Sequence, residues 1–250
     1  MIFINLEKGR VTKKNILVFK HMPSQNPGIF RDFAESQNVN FIEIDLHAGD
    51  KIPDLKDFDG LWVMGGSMNV WEEDKYPWLI EEKKAIRYAV EDLKMPFLGI
   101  CLGHQLLAVA MGGKAIDTGR YEVGLFEIEP TEEGLNHPLL KNLKDSEKWV
   151  NAHLVEVIEA PKNAIILATS EHCQNHVMQL GENAYSCQFH PEVCSHTLDG
   201  WMKIPGVPDF FDELSANGID DLTSSITENL DVNNRASSVL FENWCNLVFN

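Results

Sequence analysis

Two short stretches of this sequence hold the residues that could do covalent chemistry. In the first, Cys101 lies between Gly99 and Gly103, directly after an apolar run and directly before a helical pattern. In the second, His190 and Glu192 stand on either side of a proline. A cysteine on a tight turn becomes a nucleophile when a histidine can take its proton and a carboxylate orients that histidine. Together these residues predict an enzyme that attacks a carbonyl carbon.

The two glycines explain how the cysteine turn could form. A nucleophile on a sharp strand-to-helix turn needs neighbours without side chains, and Gly99 and Gly103 meet that need. The backbone N–H of Leu102 would then point to the place where an oxyanion forms. The amino end of the following helix would favour the thiolate form of Cys101.

The second stretch has the spacing of an acid–base pair. In extended backbone, His190 and Glu192 share one face because they are two residues apart, and Pro191 restricts the backbone between them. Glu192 would fix the imidazole tautomer, and His190 would take the Cys101 proton and return it to the leaving amine. A lone cysteine is usually a small core residue and a lone His-Pro-Glu is usually a surface turn, so the combination carries the prediction.

The elements around these residues alternate between strands and helices. The predicted strands are 16–19, 40–45, 61–64 and 96–100, and the predicted helices are 29–35, 77–93 and 105–111. This order is typical of a flavodoxin-like α/β fold, with a doubly wound, mostly parallel sheet flanked by helices. The turns at Gly65 and Cys101 follow the carboxyl ends of strands, where such sheets hold their sites.

After Gly113 the pattern changes to short strands, at 125–129, 155–159, 165–168, 176–180 and 184–189. They predict a small antiparallel extension packed on the sheet. Residues 222–230 and 236–248 predict two covering helices, while 201–218 fits no element clearly. We therefore predict a single domain over 1–250, with a core at about 15–195 and a helical extension at about 196–250.

Composition narrows the partners and the compartment. The formal charge of −17 would repel phosphate backbones, so we expect no nucleic-acid partner. No window approaches the roughly 18 apolar residues of a membrane span, and the amino terminus lacks the pattern of a signal peptide. The five cysteines are odd in number and widely spaced, which indicates reduced thiols and a cytoplasmic location.

The stretch Gly99–Gln105, taken with His190-Pro191-Glu192, resembles the class I glutamine amidotransferase domain. That domain is the glutaminase module of GMP synthase, carbamoyl phosphate synthetase and anthranilate synthase. The resemblance extends over about 16–193 and is closest to the stand-alone, GMP-synthase-like members. Further similar segments are 62–70, 76–79, 105–108, 111–113 and 122–124.

The resemblance implies a role for each matching residue and requires no cofactor. Cys101 would form a γ-glutamyl thioester and release ammonia from glutamine, and His190 and Glu192 would complete the triad. The backbone N–H groups of Gly66 and Leu102 would form the oxyanion hole. The amino-acid end of the substrate would be held by Gln105 and by the loop residues Gly65, Ser67 and Met68.

Two places depart from the pattern of this family. Ser67 stands where proline is common, which would change the stiffness of the loop and not its chemistry. After His153, Leu154 and Val155 replace a common glycine and aspartate, which puts a polar contact beside the site and the substrate preference in doubt. Whether Glu156 compensates stays open.

Three functions stay open at this point. The first is a glutaminase that passes ammonia to a separate synthetase, such as GMP synthetase, because we expect too little chain after Glu192 for a synthetase domain. The second is a free-standing hydrolase of γ-glutamyl peptides or amides with the same triad. The third is a non-catalytic regulatory module of the same fold, which the intact triad disfavours.

A dense group of histidines and cysteines also suggests a structural zinc site. Its members are His172, Cys173, His176, Cys187, His190, Cys194 and His196. Zinc at this place would remove His190 from the triad, and the spacings match no zinc-finger pattern. We therefore predict no metal.

Overall fold

The computed structural model describes residues 12–144, 147–204, 206–214 and 218–250. The strands are β1 (Lys14–Lys20), β2 (Val39–Asp45), β3 (Gly60–Val63), β4 (Phe97–Ile100), β5 (Lys114–Pro130), β6 (Glu147–Glu159), β7 (Ile165–Thr169), β8 (Val177–Leu180) and β9 (Ala184–Cys187). The α-helices are α1 (Phe30–Ala34), α2 (Trp78–Arg87), α3 (Leu102–Ala110), α4 (Glu132–Leu135), α5 (Ser195–Trp201), α6 (Val207–Leu214) and α7 (Ile219–Phe249). A π-helical turn, Tyr88–Asp92, extends α2.

The strands form a mixed sheet in the order β2-β1-β3-β4-β9-β8-β7-β5-β6. Strands β1 to β4 and β9 pair in parallel, and the pairs from β9 through β8, β7 and β5 to β6 are antiparallel. This arrangement confirms the predicted flavodoxin-like α/β fold with an antiparallel extension. The carboxyl ends of β3, β4 and β9 therefore meet at one edge of the sheet.

Alternating side chains of β1 explain the two-sided core. Leu17 and Phe19 point to one face and pack in the same cluster as residues of α2 and α3. Ile16 and Val18 point to the other face and pack in a cluster that includes residues of α1 and α7. Every residue of β3, β4 and β9 is buried, as expected of central strands covered by helices on both faces.

The antiparallel part is larger than predicted. The expected strands 125–129 and 155–159 are the ends of the 17-residue β5 and the 13-residue β6, which pair along most of their length. The pairing shifts register between Asp117 and Glu122, around Gly119. In the sequence this polar, glycine-containing segment resembles a turn that would end the strand. In the structure it is a bulge, and β5 and β6 pair on both sides of it.

The carboxyl-terminal region also differs from the prediction. The expected helices 222–230 and 236–248 are parts of one 31-residue helix, α7. The polar segment between them stays helical, and there the buried Asn233 donates its side-chain N–H to the carbonyl of Lys148 on β6. Helix α6 lies in the segment 201–218 that fitted no element, of which 205 and 215–217 lie outside the described residues.

The single domain over 1–250 stays a prediction, since 1–11 lie outside the described residues. Within the described ranges, no helix combines the length and the apolar character that crossing a membrane requires.

Candidate active site

A cleft of about 420 Å³ opens where β3, β4 and β9 end. The loop after β3 contributes Gly66, the turn after β4 contributes Cys101, and the segment after β9 contributes His190. Of the residues predicted for the site, the cleft is lined by Gly66, Ser67, Met68, Cys101, Gln105 and His190. The other three predicted residues, Gly65, Leu102 and Glu192, lie next to these in the chain or bond to them.

Cys101 occupies a strained turn. Its φ of 52° and ψ of −104° lie outside the conformations that side-chain-bearing residues ordinarily adopt. The N–H of Cys101 donates to the carbonyl of Cys187 on β9 over 2.9 Å. Its carbonyl accepts the N–H of Gln105 over 3.1 Å, which begins the hydrogen bonding of α3. Backbone bonds on both sides thus hold Cys101 between the sheet and the helix.

The two glycines of the turn are sterically required. A Cβ atom at Gly99 would lie 2.6 Å from the carbonyl oxygen of Gly103. A Cβ atom at Gly103 would lie 2.0 Å from the carbonyl oxygen of Val63 on β3. Both distances are far below van der Waals contact, so the turn forms only with glycine at both positions.

Helix α3 begins directly after Cys101. Leu102 is the first residue of the helix, so its backbone N–H is one of the first-turn amides that have no acceptor within the helix. The helix dipole adds a positive potential at the same place. These features suit the predicted oxyanion-hole donor, and that role of Leu102 stays a prediction.

His190 and Glu192 form a buried acid–base pair. The Nδ1–H of His190 donates to Oε1 of Glu192 over 2.7 Å, and both side chains are almost fully buried. Burial by itself lowers the pKa of His190, but the charges of Glu192 and Cys101, together with hydrogen bonds to both, outweigh burial and raise the pKa to about 10. The imidazole is therefore a strong acceptor for the Cys101 proton.

The backbone of this pair is held by segments from elsewhere in the chain. The N–H of His190 donates to the carbonyl of Val150 on β6 over 2.8 Å. The carbonyl of Glu192 accepts the N–H of Ile29 over 3.0 Å. Gly28 lies so close that a Cβ atom there would be 1.9 Å from the same carbonyl oxygen. The pair therefore depends on contacts far from it in sequence.

Helices α7 and α5 complete this support. The buried hydroxyl of Ser237 on α7 donates to the carbonyl of Pro191 over 2.6 Å. The ring of Trp201 on α5 meets the His190 ring edge to face, with 4.8 Å between the centroids. Trp201 is also buried and lines the cleft, so it limits the movement of the imidazole and keeps water from one side of it.

A second polar residue, which the sequence pattern did not indicate, contacts the cysteine. Gln188 is fully buried, and its Nε2 donates to Sγ of Cys101 over 3.7 Å. Its Oε1 accepts Nε2 of Gln105 over 3.2 Å, and that same Nε2 also donates to the carbonyl of Val155 over 2.9 Å. The amide hydrogens of Gln105 thus serve contacts within the protein, and its predicted contact with substrate stays a prediction.

An apolar wall, which the sequence pattern did not indicate either, lines one side of the cleft. Its residues are Trp201, Ile204, Val207 and Phe211. They come from the segment 201–218, whose prolines and glycines conceal a short helix. Leu154 and Val155, which replace the common glycine and aspartate, also line the cleft.

Glu156 does not compensate for the missing aspartate. It is buried, and its carboxylate accepts hydrogen bonds from Thr118 and from Nη2 of Arg120, the latter over 2.9 Å. These partners belong to the irregular part of β5, so Glu156 stabilises the β5–β6 pairing.

Three buried residues beside the cleft bring potential metal-ligand atoms together. One carboxylate oxygen of Glu122 accepts the Nε2–H of His153 and that of His176, each over 2.9 Å, and its other oxygen accepts the hydroxyl of Ser170 over 2.5 Å. The three potential ligand atoms lie within 4.8 Å of one another. Burial raises the pKa of Glu122, but these hydrogen bonds outweigh it and hold the pKa well below its usual range.

These residues fit a hydrogen-bonded cluster better than a zinc site. Among the described residues, Nδ1 of His153 and Nδ1 of His176 have no hydrogen-bond partner, whereas a metal-bound histidine ordinarily donates its second N–H to an outer partner. Of the seven residues considered for zinc in the sequence, only His176 belongs to this group. Glu122 and His153 were missed because they lie far from that stretch of the sequence.

Comparisons with known proteins identify the family of this chain. The model of the family described as glutamine amidotransferase class-I matches residues 24–202. The A subunit of the glutamine-hydrolyzing GMP synthase of Sulfolobus acidocaldarius is 36% identical over 153 residues, which are 60% of this chain and 74% of that protein. The putative glutamine amidotransferase-like protein YfeJ of Salmonella typhimurium is 30% identical over 187 residues, 73% of this chain and 77% of that protein.

Solved structures show the same similarity. The crystal structure of a glutamine amidotransferase from Thermotoga maritima superposes with a TM-score of 0.81 at 25% identity, covering 93% of this chain and 98% of that one. A glutamine amidotransferase from Methylobacillus flagellatus gives a TM-score of 0.79 at 26% identity, with coverage of 93% and 94%. The chain therefore belongs to the class-I glutamine amidotransferase family, and it is an enzyme of that cysteine-dependent class.

Proposed function

We propose that this enzyme hydrolyses the side-chain amide of glutamine through a thioester on Cys101 and releases ammonia. One observation carries the proposal. The strained Cys101 turn and the buried His190–Glu192 pair meet at the same cleft, where Glu192 is bonded to Nδ1 of the imidazole and the imidazole interacts electrostatically with Cys101. This is the order of contacts that a nucleophile, its base and the orienting carboxylate require.

The reaction follows in two balanced steps. Sγ of Cys101 attacks the amide carbon, His190 takes the thiol proton, and the C–N bond breaks as that proton passes to the departing ammonia. A water molecule then attacks the thioester, giving glutamate and restoring the thiol, while His190 relays the proton. In both steps the negative oxygen would be held by the backbone N–H groups of Gly66 and Leu102.

The substrate's amino-acid end would lie against Gln105 and the loop Gly65–Met68. Gly66, Ser67 and Met68 line the cleft beside Cys101, which supports this position. No metal or cofactor enters the reaction, because the thiol and the imidazole supply the nucleophile and the proton transfers.

A separate synthetase would use the ammonia. The relatives that are A subunits of GMP synthase support this part of the proposal, and a GMP synthetase is the partner they suggest. A cytoplasmic location belongs to the same proposal, and it is supported by the five cysteines, all of which are unpaired thiols.

The direct test is ammonia release from L-glutamine by the purified chain, with and without a GMP synthetase partner. We expect ammonia and glutamate in equal amounts, no release by the Cys101→Ala variant, and a covalent adduct on Cys101 when the reaction is quenched early and analysed by mass spectrometry. Release that persists in Cys101→Ala would exclude the proposed thioester.

A γ-glutamyl peptide or amide hydrolase is the second candidate. The apolar wall of Trp201, Ile204, Val207 and Phe211, with Leu154 and Val155, favours a leaving group that is larger and less polar than ammonia. The discriminating measurement compares glutamine with γ-glutamyl dipeptides that have apolar second residues. A higher kcat/KM for the dipeptides would favour this candidate, and a higher value for glutamine would favour the first.

A further inference from the structure

A second histidine–glutamate pair lies behind the loop that follows β3. His21 and Glu82 are both fully buried, and Nε2 of His21 lies 2.8 Å from Oε1 of Glu82. The other ring nitrogen, Nδ1, lies 2.8 Å from the carbonyl oxygen of Gly65. Trp78 stacks on the imidazole, with 5.4 Å between ring centroids and 12° between the planes. The ring is therefore fixed from two edges and one face.

Both contacts of this imidazole are with acceptors. A carbonyl oxygen cannot donate a hydrogen bond, and neither can an ionised carboxylate, so His21 satisfies both only when both ring nitrogens carry a proton. Burial lowers the pKa of His21, but the charge of Glu82 and the hydrogen bonds to Glu82 and to backbone carbonyls outweigh burial and raise it. When both ring nitrogens donate in this way, His21 is a cation beside the loop.

The carbonyl that His21 holds belongs to a particular peptide group. The C=O of Gly65 and the N–H of Gly66 are the two ends of one amide, and no cis peptide occurs among the described residues. In a trans amide these two groups point in opposite directions. Anchoring the carbonyl in the interior therefore turns the N–H of Gly66 away from His21, and Gly66 lines the cleft beside Cys101.

We propose that His21 and Glu82 are a positioning pair that orients and polarises the Gly65–Gly66 amide, so that the N–H of Gly66 stabilises the oxyanion. The inference rests on the proposed acyl-transfer function and adds two residues to it. A charged donor on the carbonyl draws electron density along the amide and makes its N–H a stronger donor. Neither His21 nor Glu82 lines the cleft, so we expect neither to touch the substrate.

The packing of the loop supports this role. A Cβ atom at Gly66 would lie 3.0 Å from Cβ of His21 and 2.8 Å from Cδ2 of Leu102. The loop therefore fits between the histidine and the residue predicted to supply the other oxyanion donor. A change at His21 would be transmitted directly to the orientation of the Gly66 N–H.

The test uses the purified full chain and two variants, His21→Gln and Glu82→Gln. Removing one oxyanion donor outright typically lowers kcat by about 10²–10³-fold. Because the Gly66 N–H would be misoriented and not deleted, we expect His21→Gln to lower kcat by about 10–100-fold, with KM changed by less than about 3-fold. Glu82→Gln keeps the ring in place but removes the charge that keeps it protonated. The decrease in kcat should therefore be smaller than in His21→Gln.

Two further measurements distinguish a positioning role of His21 from general damage to the active site. Glutamate γ-semialdehyde forms a tetrahedral adduct with the thiol and places an oxyanion in the hole, so its affinity should fall by the same factor as kcat/KM. Alkylation of Cys101 by iodoacetamide forms no oxyanion, so its rate should stay unchanged. The matched control is His176→Gln, which also removes a buried histidine from a carboxylate but does not touch the loop, and its kcat should stay within about 3-fold.

The outcomes are distinct. Three results in His21→Gln would overturn the inference. They are an equal slowing of alkylation and turnover, a change confined to KM, and an unchanged affinity for the aldehyde. If the wild-type chain releases no ammonia, only the proposed function is contradicted. The aldehyde adduct forms without turnover, so the affinity for the aldehyde can still be compared between wild type and His21→Gln. If His21→Gln does not fold, the same measurements on Glu82→Gln decide.

Discussion

The two halves of the proposed catalytic unit are built in different ways. The Cys101 turn is formed by residues adjacent in sequence and by the strands on either side of it, with Gly99 and Gly103 making room. The segment His190–Glu192 has no such local frame. Its backbone is held by Val150 on β6, by the segment at Gly28, and by Ser237 on α7. The proposed nucleophile is therefore positioned by its own turn and the adjacent strands, whereas the proposed base is positioned by segments from several distant parts of the chain.

This difference predicts how each half fails. Changes beside Cys101 should affect the turn directly, and its glycines tolerate no side chain. Changes far from the active site should disturb the base first and leave the cysteine chemically intact. Turnover and the alkylation rate of Cys101, measured on the same variant, distinguish the two cases.

Replacing Cys101 by alanine should abolish turnover. Loss of a catalytic nucleophile of this kind typically lowers kcat by about 10⁴-fold or more. The turn itself should persist, because alanine leaves the backbone and its bonds to Cys187 and Gln105 unchanged. Single-turnover ammonia release measures the activity, and circular dichroism with thermal unfolding measures the fold. Undiminished turnover would disprove the assignment of the nucleophile.

Replacing His190 by glutamine should slow acylation by about 10²–10⁴-fold, since a positioned general base contributes about that much. The loss should appear in the first-turnover rate at saturating substrate. The proposal that His190 is the base would fail if the effect were confined to KM.

Replacing Gly28 by alanine should damage the base but not the nucleophile. Its Cβ would lie 1.9 Å from the carbonyl oxygen of Glu192, at a φ of +51°. We expect the free energy of unfolding to fall by about 2–4 kcal/mol and kcat to fall by about 10-fold or more. The rate at which iodoacetamide alkylates Cys101 should fall less than kcat.

Gly49→Ala is the matched control for this clash. Gly49 also has a positive φ, +95°, but nothing lies within 4 Å of a Cβ atom there. Gly49→Ala should therefore show only the cost of backbone strain, about 1 kcal/mol, with unchanged kcat. Equal effects of the two substitutions on stability and kcat would contradict the proposed support of Glu192 by Gly28.

The stability of the fold should depend on pH through His190. Its pKa is raised from an ordinary value near 6.5 to about 10 by Glu192 and Cys101. A raised folded-state pKa gives stability that is complete below the unfolded value and is lost as pH rises through the folded value. The free energy of unfolding, measured with urea, should therefore fall between about pH 7 and pH 10. It should fall less steeply in His190→Gln. Equal slopes in the two proteins would contradict this.

The smallest expected effect is that of Ser237→Ala. The variant removes a buried hydrogen bond to Pro191 and leaves that carbonyl without its donor, which should cost about 1–2 kcal/mol in the free energy of unfolding. We expect a decrease in kcat of only a few-fold, since other contacts still hold the segment. Ser224→Ala, exposed on the same helix, should change stability by less than about 0.5 kcal/mol.

The same contrast explains what the sequence could predict. The Cys101 turn and the parallel strands were predictable because short apolar runs and flanking glycines encode them locally. The joined helix α7, the apolar wall at 201–211 and the amide of Gln188 depend on tertiary contacts between distant residues. His21 and Glu82 were missed for the same reason, since each is an unremarkable polar residue until the fold brings them together behind Gly65.

Helix α7 gives the enzyme an order of assembly during its synthesis. A ribosome releases the chain from its amino end, so β4, the Cys101 turn and α3 emerge long before α7. Until α7 docks, Pro191 lacks the hydroxyl of Ser237, and the neighbouring His190 lacks its final alignment. Until then, one of the three contacts that hold this segment is missing, while the contacts with Val150 and Ile29 do not require α7. The full support of the proposed base is therefore complete only when α7 has been synthesised and packed against the sheet.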